Sequence, residues 1–263
     1  MVQHILVAHD LSPEADLALS RAAQLAQQTG ARLSVLHVLT GQSDAKEQQH
    51  AQVYLHTTLE RHGLAQQPWI RQGRAAEEIL TQAAGLEIDL LIMGRHHRQS
   101  PQGFVGTTLE QVLQSCPAPL LLAVTQAAPY SRALAALDYS GCASRALQSA
   151  WQLMPAGSAL TALNIYESSE VCPPESAELT LQHELFDQLV ADLRRHLADT
   201  GAQLQSSLRH GERNNCLDSA IAKVQPKLLA LGSHSRGAMS EALLGSLTRE
   251  YFDRPPCDVL IAH

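Results

Sequence analysis

The chain has 263 residues, room for one large domain or for two of about 130. Its net charge is −7 with neutral histidines, and its Lys and Arg are dispersed, which argues against broad contact with a nucleic-acid backbone. Because 45% of residues are apolar and only 4% aromatic, the core must be built mainly from Ala, Leu, Val and Ile, and no run of 18 or more apolar residues offers a membrane span.

The N-terminus, "MVQHILVAHD", lacks the basic, apolar and small-residue order of a signal peptide. The five cysteines (Cys116, Cys142, Cys172, Cys216, Cys257) form no CxxC pair. Both observations fit reduced thiols and a cytoplasmic location.

In chain order, Ile5–Ala8 is a short apolar run, and Ser12-Pro13 supplies an N-cap with proline at the first helical position. The helix that follows ends at Gly30. Arg32–Val38 reads as a strand, Glu47–His62 as a long exposed helix and Trp69–Gln72 as a short strand. Ala75–Ala84 is a helix, Asp89–Met93 a buried strand, Thr107–Gln114 a helix and Pro119–Val124 a final strand.

The chain then repeats itself. "HILVAHDLSPEADLALSRAAQLA" aligns with "RALAALDYSGCASRALQSAWQLM", placing Asp10 on Asp138 and Ala15, Ala18, Leu19 and Ala22 on Ala143, Ala146, Leu147 and Ala150. Those positions repeat one face of a helix. "ARLSVLHV" aligns with "SALTALNI", bringing Val38 onto Ile165; Gly73 matches Gly211 and Gly94 matches Gly232. Two domains, 1–127 and 128–263, are therefore expected, joined near "TQAAPYS" (Thr125–Ser131). Apolar strands separated by helices call for a parallel sheet covered on both faces, with ligands at the carboxyl ends of its strands.

Two features carry candidate chemistry. Asp10 and Asp138 stand at the end of the first strand of each copy, where an Asp either accepts hydrogen bonds from a ribose or base or caps the next turn. In "LALGSHSRGAMSEALLGSLTREYF" a strand ends at Gly232, a polar loop follows, and Gly245-Ser246 opens a helix. A glycine there lets backbone N–H groups and the Ser246 and Thr248 hydroxyls approach an anion. His96-His97 are adjacent and lack metal-ligand spacing, so no metal is expected. His9 reads as a satisfied, partly buried histidine. There is no GxxxxGK[ST], GxSxG or HExxH, so no catalytic residue is assigned and the chain is read as a binding protein rather than an enzyme.

The stretches "ILVAHDLSPEADLAL", "GRAAEEIL" and "GSHSRGAMSEALLGSLTREY" resemble the universal stress protein family in its tandem form, across essentially the whole chain. The resemblance implies two doubly wound α/β domains with five parallel strands in the order 3-2-1-4-5. It also implies an adenine nucleotide, ATP first, between strands 1 and 4, with phosphates on a G-x2-G-x9-G-[S/T] loop. In the second copy it assigns Asp138 to ribose and adenine and Ile165 to the base. Gly232, Gly245, Ser246 and Thr248 would line the phosphates, with Ser235 in place of the second glycine. Twelve residues still separate Gly232 from Gly245. The first copy offers Asp10, Val38, Gly94, Gly106 and Thr107, but His97 replaces the second glycine, the loop is one residue shorter and Leu109 replaces the match to Thr248. Nucleotide is therefore expected mainly in the C-terminal copy.

The role that follows is a stress-response signalling module, with a nucleotide ligand and a regulatory protein partner the sequence does not identify; slow ATP hydrolysis is left open. The alternatives are a scaffold with both sites degenerate, or an ATP-hydrolysing or metal-dependent member. The apolar final strands, "PLLLAV" and "DVLIAH", are expected to pair as an intramolecular pseudo-dimer, and a further homodimer is left open by the sequence.

Overall fold

A computed structural model describes residues 1–41, 44–95, 108–167, 176–233 and 246–263. It divides into two compact units, Met1–Ala128 and Pro129–His263.

The first unit runs β1 (His4–Ala8), α1 (Pro13–Thr29), β2 (Arg32–Leu39), α2 (Ala45–Arg61), β3 (Trp69–Gln72), α3 (Ala75–Gly85), β4 (Leu90–Gly94), α4 (Thr108–Ser115) and β5 (Leu120–Ala123). All neighbouring strands are parallel, in the order β3-β2-β1-β4-β5. The second unit runs β6 (Arg132–Leu137), α5 (Gly141–Gln152), β7 (Ala159–Glu167), α6 (Ser176–His196), β8 (Gln203–Gly211), α7 (Arg213–Val224), β9 (Leu228–Gly232), α8 (Ser246–Asp253) and β10 (Asp258–Ala262). Its parallel pairings give β8-β7-β6-β9-β10, the same 3-2-1-4-5 order counted from its own first strand. In both units the chain leaves the central strand toward one side and later returns on the other. That reversal opens a crevice at the carboxyl ends of strands 1 and 4.

The local chemistry explains the element boundaries. Ser12 caps α1 by accepting from the Ala15 N–H at 3.2 Å, Pro13 needs no hydrogen bond at that position, and Gly30 closes the helix in the left-handed conformation at φ 74°. Ser140 caps α5 in the same way, accepting from Ala143 N–H at 3.1 Å. The repeated helix face is the buried one: Ala15, Ala18, Leu19, Ala22 and their four counterparts are all at most 2% exposed. The second helix begins at Ala45, earlier than Glu47, because the Asp44 carboxylate accepts from Lys46 and Glu47 N–H, both at 2.9 Å. Nor is that helix wholly exposed: Ala51, Leu55, Thr58 and Leu59 are buried.

Two buried polar clusters fix the unit termini. Arg21, only 1% exposed, donates to the carbonyls of Ala128 and Gln126 (3.0 Å) and to Gln24 Oε1 (2.9 Å), pinning the segment that leaves β5 to α1. In the second unit the Tyr130 hydroxyl donates to Asp258 Oδ2 at 2.7 Å, with both residues fully buried. Cys116, Cys142, Cys216 and Cys257 are free thiols; Cys172 lies outside the described residues. Among the described residues, no helix is long and apolar enough to cross a membrane.

Candidate functional site

In each unit the first strand ends in an unusual turn. Leu11 and Tyr139 both take φ 64°, a left-handed conformation that costs a residue with a side chain about 1–2 kcal/mol. The candidate aspartates hold it in place. Ser12 N–H donates to Asp10 Oδ1 at 3.0 Å, and Ser140 N–H donates to Asp138 Oδ1 at 3.1 Å. The Ser12 hydroxyl also donates to Asp10 Oδ1. The turn-capping role considered for these residues is thus realised in both copies, and it engages Oδ1. Backbone strain repeated at one place in two diverged copies is the kind of feature that concentrates at binding sites.

The residue after the fourth strand's apolar run is a glycine in both units, and the geometry gives a reason. A Cβ on Gly94 would lie 2.3 Å from the Glu14 carbonyl oxygen and 2.8 Å from Ala15 N; on Gly232 it would lie 2.8 Å from Ala143 N. Each glycine lets the first turn of α1 or α5 press directly onto its strand. The first backbone N–H groups of those helices therefore stand beside the crevice.

A second shared device lies on the neighbouring strand. The buried His37 side chain donates from Nδ1 to the His9 carbonyl at 2.7 Å. Its counterpart, buried Asn164, donates from Nδ2 to the Leu137 carbonyl at 2.7 Å. Both close the carbonyl immediately before the aspartate. The signal in the sequence is a polar residue in the same place within two otherwise apolar strands, "VLHVL" and "TALNIY"; its role was not recognised from the sequence.

In the first unit these groups border a cavity of ≈ 780 Å³, within the roughly 300–1,000 Å³ of small-molecule sites. Its inner wall is apolar, formed by Ala8, Leu36, Val38, Ile79, Met93 and Leu109. Asp10, His37, Lys46, Glu47, His50 and Arg95 add polar and charged groups. Lys46 and His50 belong to α2; the sequence placed His50 in a long exposed helix and Lys46 just before its start. Of the residues assigned by sequence to the first copy, Asp10, Val38 and Gly94 line this cavity; Gly106 and Thr107, with His96 and His97, lie outside the described residues.

His9 is buried and doubly bonded. The Leu11 N–H donates to its Nδ1 at 3.0 Å, which places the proton on Nε2, facing Asp16 Oδ1 at 3.1 Å. Burial holds its pKa below the ordinary value, against the opposing pull of Asp16. Tyr54 of α2 donates to the other Asp16 oxygen at 2.8 Å, and burial with that hydrogen bond pushes its pKa up to about 12. This chain of groups ties α2, one wall of the cavity, to α1.

In the second unit Asp138 sits on the equivalent turn, and Ile165 is half-buried near the end of β7, next to Asn164. The buried Thr248 hydroxyl donates to the Gly232 carbonyl at 2.9 Å, so its proton secures the strand end. Ser246 is the first residue of α8, while Ser235 and Gly245 lie outside the described residues. No group of three or more His, Cys, Asp or Glu that could hold a metal occurs among the described residues.

A family model described as the universal stress protein family matches residues 1–123 and again 129–263. Among solved structures, a universal stress protein from Archaeoglobus fulgidus DSM 4304 is similar at TM-score 0.68 and 17% identity, covering 98% of this chain and 97% of its own. One from Pseudomonas aeruginosa UCBPP-PA14, described as putative, is similar at TM-score 0.67 and 20% identity, covering 99% and 93%. A universal stress protein in complex with cAMP matches 52% of this chain and 99% of its own at 20% identity and TM-score 0.42. At these identities the two full-length likenesses speak to the fold alone. No curated protein matches the chain in sequence.

Proposed function

The chain belongs to the universal stress protein family, with two family domains in tandem, and from that premise we propose that it binds an adenine nucleotide, ATP foremost, as a cytoplasmic signalling module. The observation that carries this reading is the strand-end turn. In both units an aspartate holds a strained left-handed residue beside a helix start that a glycine brings close. Backbone N–H groups at a helix start suit an anionic phosphate, and the aspartate stands where a ribose hydroxyl could donate.

The primary site is assigned to the C-terminal unit, around Asp138, Ile165 and Gly232. There the sequence keeps twelve residues between Gly232 and Gly245 and retains Ser246 after the glycine. ATP acts there as a signal rather than as a fuel. Bound nucleotide favours one arrangement of the surface read by a regulatory protein, in proportion to its differential affinity for the two states.

A second reading is favoured by the ≈ 780 Å³ cavity of the first unit. Its apolar wall and Asp10 suit a base and sugar, while its shortened loop with His97 disfavours a triphosphate. We assign it a nucleoside or monophosphate in preference to ATP.

Thermal denaturation with added ATP tests the primary claim. A ligand at 100 times its Kd stabilises the folded state by about 2.7 kcal/mol, so the melting temperature should climb with ATP concentration. An unchanged melt at millimolar ATP rejects the proposal and favours the scaffold alternative.

A further inference from the structure

The strained Leu11 turn is anchored in part on a group that titrates. Asp10 Oδ1 accepts from the Ser12 N–H, and His9 Nδ1 accepts from the Leu11 N–H itself at 3.0 Å. An N–H can only donate, so the second bond exists only while Nδ1 carries a lone pair. The one proton of the neutral ring then sits on Nε2, 3.1 Å from Asp16 Oδ1. A further proton must go to Nδ1, where it confronts the Leu11 N–H and takes away the anchor of a left-handed residue. In the second unit Leu137 stands in the place of His9, and its side chain has no atom that could gain a proton. The Tyr139 turn, at the same φ of 64°, is held through Asp138 Oδ1.

We propose that His9 is a proton-operated positioning residue: gaining its second proton releases the Leu11 turn, so the first unit's site is acid-sensitive and the second unit's is not. His9, Asp10, Leu11 and Ser12 all line the ≈ 780 Å³ cavity, so release of the turn reshapes its wall. The inference goes beyond the nucleotide reading, because the turn is observed with no ligand added.

The groups facing the ring set the range in which this happens. Burial opposes the cation, Asp16 of α1 and Asp10 at the strand end favour it, and His37 of β2 opposes it; burial prevails, so protonation falls below the ordinary value of 6.5. Tyr54 of α2, its ring centroid 6.1 Å from the imidazole, stays neutral with its hydroxyl committed to Asp16 Oδ2. His50 of α2 lies beyond it, 6.4 Å from the Tyr54 ring. His37 keeps its Nδ1–H in either charge state, so its own titration leaves its bond to the His9 carbonyl standing.

Nuclear magnetic resonance of the full chain across an acid titration provides the test. Imidazole nitrogen shifts report the charge of His9, and amide protection factors report the two turns. As His9 becomes cationic, protection of the Leu11 amide should fall about tenfold or more, the loss of one hydrogen bond, while that of Tyr139 holds. Asp16→Asn removes an anion that favours the cation, so the fall at Leu11 should move to lower pH. His9→Asn keeps an acceptor near the Leu11 N–H and does not titrate, so Leu11 protection should become independent of pH.

Leu11 protection that persists after His9 gains its proton overturns the inference. So does an equal fall at Leu11 and Tyr139, or a His9 that stays neutral until the whole chain unfolds in acid. The wild-type titration needs no substitution, so poor folding of either variant does not shelter the proposal.

Discussion

Adding one methyl group at Gly94 should damage the first unit more than the same change at Gly232 damages the second. In Gly94→Ala the new Cβ would fall 2.3 Å from the Glu14 carbonyl oxygen, 2.5 Å from its carbon and 2.8 Å from Ala15 N. All three are backbone atoms of the first turn of α1, so no side chain can swing aside. Ordinary contact begins near 3.4 Å, so the helix start must retreat by about 1 Å. That helix buries Ala15, Ala18, Leu19, Ala22 and Leu25, and close-packed interiors do not absorb such a shift without loss. Overpacking typically costs about 1–3 kcal/mol, and a backbone clash this short belongs at or above the top of that range. In Gly232→Ala the nearest atom is Ala143 N at 2.8 Å, a smaller conflict, placed at roughly 1–2 kcal/mol.

Urea denaturation of the three chains provides the measurement. At about 3 °C per kcal/mol for a domain of this size, the Gly94 variant should also melt roughly 10 °C lower in its first unit. Equal stability of both variants and the wild type, or a larger loss at Gly232 than at Gly94, refutes the reasoning.

Two further outcomes follow from the buried polar groups. His9 has a folded-state pKa below its unfolded value, so the unfolded chain binds more protons once pH falls below about 6.5. Its contribution is complete above that pH and declines as pH drops from there toward the folded pKa; the pH slope of unfolding free energy between pH 7.5 and 5.5 should flatten in His9→Gln, and an unchanged slope contradicts the assignment. Arg21→Met removes the donors that hold the Gln126 and Ala128 carbonyls, which should cost about 2–4 kcal/mol and speed proteolytic cutting at residues 125–131. Wild-type cutting rates in the variant count against that role.

The fold was legible because its signals are local. Ser12-Pro13 and Gly30 mark both ends of α1 within the chain itself, and the spacing Ala15, Ala18, Leu19, Ala22, repeated at Ala143 to Ala150, identifies one buried face twice. The site was only partly legible, because its decisive contacts are remote in sequence. His37 reaches the His9 carbonyl 28 residues away, and Asn164 reaches Leu137 27 residues away. Leu11 and Tyr139 gave no sign of a left-handed backbone, since neither is the glycine or asparagine that usually announces one. His50 read as a member of an exposed helix, whereas the Tyr54 hydroxyl, bonded to Asp16, holds α2 against α1. Gly94 and Gly232 were assigned to a nucleotide only by resemblance; their geometry shows that they make room for a helix start.

The central claim is that one adenine nucleotide binds through the turn that Asp138 holds. Isothermal titration of the full chain with ATP measures this directly. The account predicts about one ATP per chain, with binding lost in Asp138→Ala and kept in Asp10→Ala. No heat of binding in the wild type, or loss in Asp10→Ala with Asp138→Ala unaffected, would contradict it.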